Sequence, residues 1–160
     1  MKTNKKGIDL IEEFESCHLE AYKIGDDPWT IGWGATTYED GSRVKKGDSI
    51  SQERADALFI HHLERFEKLV MDALGNTVLN PNQFSALVSI MYNVGPGYPR
   101  IRSGIRWLET GRPSTLLSLI KHNQNDPLIA KEFVKWISKG SIFEKGLLRR
   151  REAEVNLYFS

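Results

Sequence analysis

Ala55, Leu58, Phe59, His62, Leu63, Phe66, Leu69, Val70 and Leu74 recur at steps of three and four residues. That is the α-helical period, and it is sustained long enough to exclude a strand. Ser51 has the chemistry of an N-cap, and Glu53 follows at the positive end of the helix dipole. The predicted helix has about twenty residues and, at about 1.5 Å per residue, runs roughly 30 Å, the diameter of a small domain. In a chain of 160 residues such a helix is a connector, and the sequence on its two sides differs in kind.

On the N-terminal side, Ile8, Leu10, Ile11 and Phe14 form a helical stripe that predicts an opening helix over residues 4–15. From Leu19 to about Ile50 the pattern breaks into short strand-like pieces. Their turns are Gly25-Asp26-Asp27-Pro28, Glu39-Asp40-Gly41-Ser42 and Lys46-Gly47-Asp48, which predicts a small antiparallel sheet of three short strands. On the C-terminal side, Asn80-Pro81 opens a helix by cap and first-turn proline. Phe84, Leu87, Val88, Met91 and Tyr92 are its buried stripe, and Gly95-Pro96-Gly97 ends it. Shorter helices are expected over 101–109, 114–122, 127–138 and 144–158. The fold class is α+β, a small lobe with a three-stranded antiparallel sheet and a larger helical lobe joined by the long helix. We expect a single domain over 1–160, with the sheet lobe at about 12–52, the connecting helix at 52–74, and the helical lobe from 1–11 and 75–160.

Composition removes several function classes. A hydrophobic content of 40% with 27% charged residues belongs to an ordinary globular chain. A formal net charge of +1 gives no global reason to bind nucleic acid or an anionic membrane, so neither is expected as a partner. Arg149-Arg150-Arg151 is a local cationic patch and reads equally as a solvated helix face. Cys17 is the single cysteine, which excludes an intrachain disulfide and fits a reducing compartment. Its neighbour His18 projects in another direction, so a small packed thiol is the reading for Cys17. The apolar residues Ile8–Ile11 are too few for a signal-peptide core, and no run reaches membrane-spanning length. His61 and His62 are adjacent and have no ligand spacing with His18 or His122; no metal and no cofactor are expected.

Glu15 is the residue with a chemical reading. Glycoside hydrolysis needs a proton donor for the leaving oxygen and a group that activates water or attacks carbon. A donor that stays protonated near neutral pH belongs at a partly buried, apolar position. Glu15 follows Phe14 at the inner end of the opening helix, beside the expected sheet. Taken alone, it reads more readily as a surface glutamate of a last turn. Aromatic and amide groups that would suit a glycan cleft are Trp33, Tyr92, Asn93 and Trp136, with core packing the competing role for Trp33 and Trp136. Gly32 and Gly34 allow close backbone approach or a bulge.

The stretch from Ile8 to Thr36 resembles the phage lysozymes, the endolysin family. The residues that carry the resemblance are Phe14-Glu15, Leu19, Ala21-Tyr22-Lys23 and Thr30-Ile31-Gly32-Trp33-Gly34-Ala35-Thr36. It continues through Gly47-Asp48-Ser49-Ile50-Ser51 and Ala55–Leu58, through Leu79–Leu87 with Tyr92-Asn93-Val94-Gly95, and through Trp136 and Gly146–Glu152. The resemblance implies a phage-lysozyme-like fold and a muramidase acting on the β-1,4 bond between N-acetylmuramic acid and N-acetylglucosamine in peptidoglycan glycan strands. Glu15 would be the general acid, Thr30 the hydroxyl that places the attacking water, and Tyr92 and Asn93 a groove-lining pair.

Ile24 departs from the family pattern, which has an aspartate or cysteine there. Three explanations stay open. Asp26 or Asp27 supplies the carboxylate from the turn; Asp26 shares strand parity with Ile24 and Thr30 if the strand is regular, within reach of the roughly 6.5–9.5 Å separation of an inverting glycosidase. Alternatively Glu15 works alone, as in a lytic transglycosylase, or the chain is a weakly catalytic glycan-binding protein. The resemblance further implies a monomer held in the host cytoplasm until release to the cell wall.

Overall fold

The structure, a computed structural model, describes residues 1–160. Its elements in chain order are α1 (Lys5–Glu15), β1 (His18–Tyr22), β2 (Thr30–Gly32), α2 (Gln52–Leu74), α3 (Pro81–Val94), α4 (Thr115–His122), α5 (Leu128–Val134) and α6 (Glu144–Tyr158). The chain divides into two compact units, Ile11–Arg65 and Met1–Leu10 with Phe66–Ser160. The mixture of helices with a small antiparallel sheet is the α+β class the periodicities predict.

In the unit Ile11–Arg65, β1 pairs antiparallel with β2 through His18 opposite Gly32 and Tyr22 opposite Thr30. The step from His18 to Tyr22 is longer than its match on β2, so β1 is bulged. Ile31, Ala35, Val44 and Leu58 form a buried cluster, and Ala21, Trp29, Tyr38 and Ile50 pack against it. The expected third strand is absent. Residues 48–50 meet β1 only at an isolated bridge between Glu20 and Ser49, and Thr37 pairs with Arg43 in another. The reason is local. The Asp48 carboxylate accepts from the Lys45 amide at 2.9 Å and the Tyr38 hydroxyl at 2.7 Å, closing a tight turn. Two residues past the bridge, the Ser51 hydroxyl accepts from the Arg54 amide and α2 begins.

The other unit is organised on α3, in which Gln83 to Met91 are all buried. The start of α3 is answered by a capping box between Asn80 and Gln83, with Pro81 in the first turn. Helix α1 reaches α3 through Gly7, where a Cβ would sit 2.6 Å from the Ser85 Cβ. Helix α6 packs along α3. Arg150 and Arg151 are buried there with Glu154, so the arginine run is a solvated face only at Arg149.

The helix expected at 101–109 does not form, and the one expected at 127–138 stops at Val134. Between Val94 and Thr115 the amides are committed elsewhere. Ile105 donates to the Gly95 carbonyl at 3.0 Å, and Arg106 and Trp107 donate to that of Pro96. This fold-back presses two glycines together. A Cβ on Gly97 would lie 2.1 Å from the Trp107 carbonyl oxygen, and one on Gly104 would lie 2.1 Å from the Gly97 nitrogen. No side chain fits at either position.

Two predictions follow from this packing. Gly104→Ala should cost about 1–3 kcal/mol by overpacking, whereas Gly146→Ala, in open space on α6, should gain about 0.5–1 kcal/mol. Urea unfolding of both variants checks the opposite signs. The second concerns acid. Arg54 bonds Glu39 through both guanidinium nitrogens, with Nη2 at 2.6 Å from Oε2, and holds the carboxyl down at about 2. A depressed carboxyl stabilises the fold above its ordinary value of 4.5, and that contribution is lost as pH falls from there towards about 2. The urea midpoint should therefore drop across that window, and Arg54→Gln should flatten the drop. An acid limb identical in the variant would remove the pair from the explanation.

Candidate active site

Helix α1 ends at Glu15 because Ser16 turns left-handed, at φ 54°, and releases the chain into β1. That exit leaves the half-buried Glu15 carboxylate against the backbone of Gly34. A Cβ on Gly34 would stand 3.1 Å from Glu15 Oε2, and φ there is +99°. The backbone conformation favours glycine, and a side chain there would crowd the carboxylate. The close approach anticipated for the Gly32–Gly34 stretch is thus made by Gly34, and its partner is the acid itself.

Tyr22 and Thr30 stand opposite each other across β1 and β2. The Tyr22 phenol is pushed up, first by burial and then by the negative charge of Glu15, and its ring packs 4.3 Å from His18. The Thr30 hydroxyl donates to the Pro28 carbonyl at 3.0 Å, which leaves its oxygen as an acceptor. Glu15, Tyr22, Thr30 and Gly34 therefore belong to one neighbourhood of helix end and hairpin. The sequence points to Glu15 and Thr30 and not to Tyr22, which ends β1 and enters the site through its pairing with Thr30.

Asp26 is carried by a turn of the same unit. The Asp27 amide donates to the Ile24 carbonyl at 3.0 Å and Gly25 is left-handed at φ 55°. Residues 24–27 are therefore a turn, and the parity argument that aligned Asp26 with Thr30 does not apply. Asp26 and Asp27 are exposed and line a hollow of about 550 Å³ with Lys23, Trp29, Thr36 and Arg43. Neither Glu15 nor Thr30 lines it. Ile24 is 60% exposed, an apolar side chain in water. Trp33 is tied to α2, with its indole N–H donating to the Asp56 carboxylate at 2.8 Å and its ring 6.2 Å from Phe59.

In the helical unit, Asn93 and Trp136 line a second hollow, of about 440 Å³, with Val94, Lys135, Ile137, Ser138 and Leu147. Tyr92, the neighbour of Asn93, packs its ring 4.9 Å from Phe66 and does not line that hollow. Arg151 donates to Asn93 Oδ1 at 2.9 Å and to the Trp136 carbonyl at 3.5 Å. A guanidinium only donates, so it fixes which way the Asn93 amide faces. No group of three or more His, Cys, Asp or Glu side chains is arranged to hold a metal ion. No helix is long and apolar enough to cross a membrane.

Residues 12–154 match the phage lysozyme family model. The endolysin of Bacillus phage B103 is 33% identical over 162 residues, which cover all of this chain and 55% of the relative. The endolysin of Acyrthosiphon pisum secondary endosymbiont phage 1 is 30% identical and is covered over 99% of its length. The chain thus spans about half the length of the Bacillus phage relatives and nearly all of the endosymbiont phage one. Among solved structures, an endolysin from Escherichia coli O157:H7 phage FAHEc1 superposes with a TM-score of 0.80 at 29% identity, covering all of this chain and 94% of that one. A muramidase domain of SpmX from Asticaccaulis excentricus gives 0.75 at 27% identity, over 99% and 98% of the two chains. With the family match running over nearly its whole length, this chain belongs to the phage lysozyme family.

Proposed function

We propose that the chain is a peptidoglycan muramidase that hydrolyses the β-1,4 bond from N-acetylmuramic acid to N-acetylglucosamine. The observation that carries the proposal is the Glu15 carboxylate seated against Gly34 in a chain of this family. Glu15 gives its proton to the glycosidic oxygen as the bond to the sugar carbon breaks. Thr30, with an acceptor oxygen to spare, orients the water that adds to that carbon, and Asp26 takes the water's proton. Tyr92, Asn93, Trp136 and Trp33 contact the glycan. The likeness to a protein described as a muramidase domain supports the choice of bond. The chain would act as one domain and a monomer, held in the host cytoplasm until the membrane opens and then digesting the wall from the periplasm.

Purified protein should release reducing ends from bacterial walls, and Glu15→Gln should lower the rate by about 10²–10⁴-fold, the usual worth of a positioned proton donor. Undiminished release by that variant would overturn the mechanism.

A second reading draws on Ile24 and on Asp26 lying in a hollow that Glu15 does not line. Here Glu15 works alone, and a hydroxyl of the sugar itself attacks the carbon, as in a lytic transglycosylase. Mass spectrometry of digested sacculi separates the two, since hydrolysis leaves reducing muramic ends and transglycosylation leaves 1,6-anhydromuramic ends. Asp26→Asn should nearly abolish reducing-end release, whereas full activity in both Asp26→Asn and Asp27→Asn would remove the turn carboxylates from the reaction. Sedimentation with walls but no fragment release would mark a glycan-binding protein.

A further inference from the structure

The helical unit carries a buried charge cluster that the proposed reaction does not use. Glu154 and Arg151 are fully buried and Arg150 nearly so. Arg151 Nε lies 2.8 Å from Glu154 Oε2, and its Nη2 donates to Glu154 Oε1 at 3.1 Å. Arg150 Nε stands 3.3 Å from the same Oε1, and the Ser89 hydroxyl donates to it at 2.7 Å. The two sides of the Arg151 guanidinium thus face different partners, with Glu154 behind and Asn93 and the Trp136 carbonyl in front. Those two front residues line the 440 Å³ hollow.

A buried carboxylate paired to one arginine suffices for charge balance. Here the carboxylate is shared by two, which leaves Arg151 a second set of N–H groups to spend on neutral acceptors. Hydrogen bonds from a charged donor are stronger than those between neutral groups, and the one to the exposed Asn93 side chain is 2.9 Å. Burial pushes the Glu154 carboxyl up, and the two guanidiniums and the Ser89 hydroxyl oppose that. We infer that Glu154 is a positioning residue, holding Arg151 so that the guanidinium fixes the Asn93 amide and the Trp136 backbone at the rim of the hollow. With its oxygen engaged by Arg151, Asn93 offers a ligand its amide N–H groups. That donor suits the carbonyl of an acetamido or peptide group on the glycan. The role in substrate binding rests on the proposed function; the orientation of Asn93 does not.

The test uses the full chain with Glu154→Gln, which keeps the shape and removes the charge. Glu154→Asp serves as a second variant, whose shorter carboxylate retreats from Arg151 while keeping the charge. The Asn93 side-chain amide resonances, assigned by their loss in Asn93→Ala, report the orientation without any turnover. In either folded variant they should shift and broaden. KM for soluble glycan fragments should rise by about ten- to a hundredfold, with kcat held within about twofold. Adding Asn93→Ala to Glu154→Gln should raise KM no further, because both changes remove one contact. Unchanged Asn93 resonances in a folded Glu154 variant would overturn the inference, as would additive losses in the double variant. Shifted resonances in a protein that cleaves no glycan would uphold the positioning role and reject the muramidase reading.

Discussion

A helical stretch with no solvent face must have its polar side chains answered by another segment, and Gln83 to Met91 of α3 are such a stretch, with the exposed Asn93 just beyond it. Leaving one buried polar group unpaired costs about 1–3 kcal/mol, so each answer also selects a neighbour. Gln83 caps its own helix through the Asn80 amide and reaches Gln124 and Asn125. Ser85 accepts from the Asn4 amide. Ser89 donates to Glu154, and Asn93 accepts from Arg151. Ser85, Ser89 and Asn93 are spaced four apart and share one face. That stripe docks the start of α1 at one end and α6 along the rest. Apolar burial drives the association, and the polar stripe fixes its register.

Local periodicity made most of this legible. The stripe from Ala55 to Leu74, the Asn80-Pro81 start and the helix at 144–158 all rest on side chains three to four apart, which sequence displays directly. The failures share a different cause. The Gly97 and Gly104 contact joins residues whose interaction no period encodes, and it redirects the amides that a helix at 101–109 would need. The third strand was lost to a turn carboxylate and a cap hydroxyl that act within four residues of each other.

The arginine run shows the same division. Arg149-Arg150-Arg151 looks like a solvated face because charged neighbours usually are. Glu154, three and four residues on, was a local hint of pairing, but Ser89 and Asn93 lie far away in sequence. At the site, Glu15 was legible as an acid at a helix end, and Thr30 as a hydroxyl on a hairpin. The reservation of Gly34 for the carboxylate depended on a left-handed turn at Ser16 that serine does not announce. Asp26 was placed by an assumption of strand regularity, and the turn at residues 24–27 breaks it.

The helical unit is discontinuous in the chain, since its first ten residues are separated from the remainder by Ile11–Arg65. During synthesis the intervening unit has all of its residues before the partners of Asn4 exist, so the N-terminal segment waits for α3. Asn82 marks where the wait ends. Its Oδ1 accepts from Asn4 at 2.8 Å, and its Nδ2 donates to the Ser160 hydroxyl at 3.0 Å. One asparagine thereby joins the earliest and latest residues of the unit. Joining residues 160 and 1 through a short linker and reopening the chain near residue 11 would make that unit contiguous. Such a circular permutant would convert a long-range closure into a local one, with the cut falling inside α1.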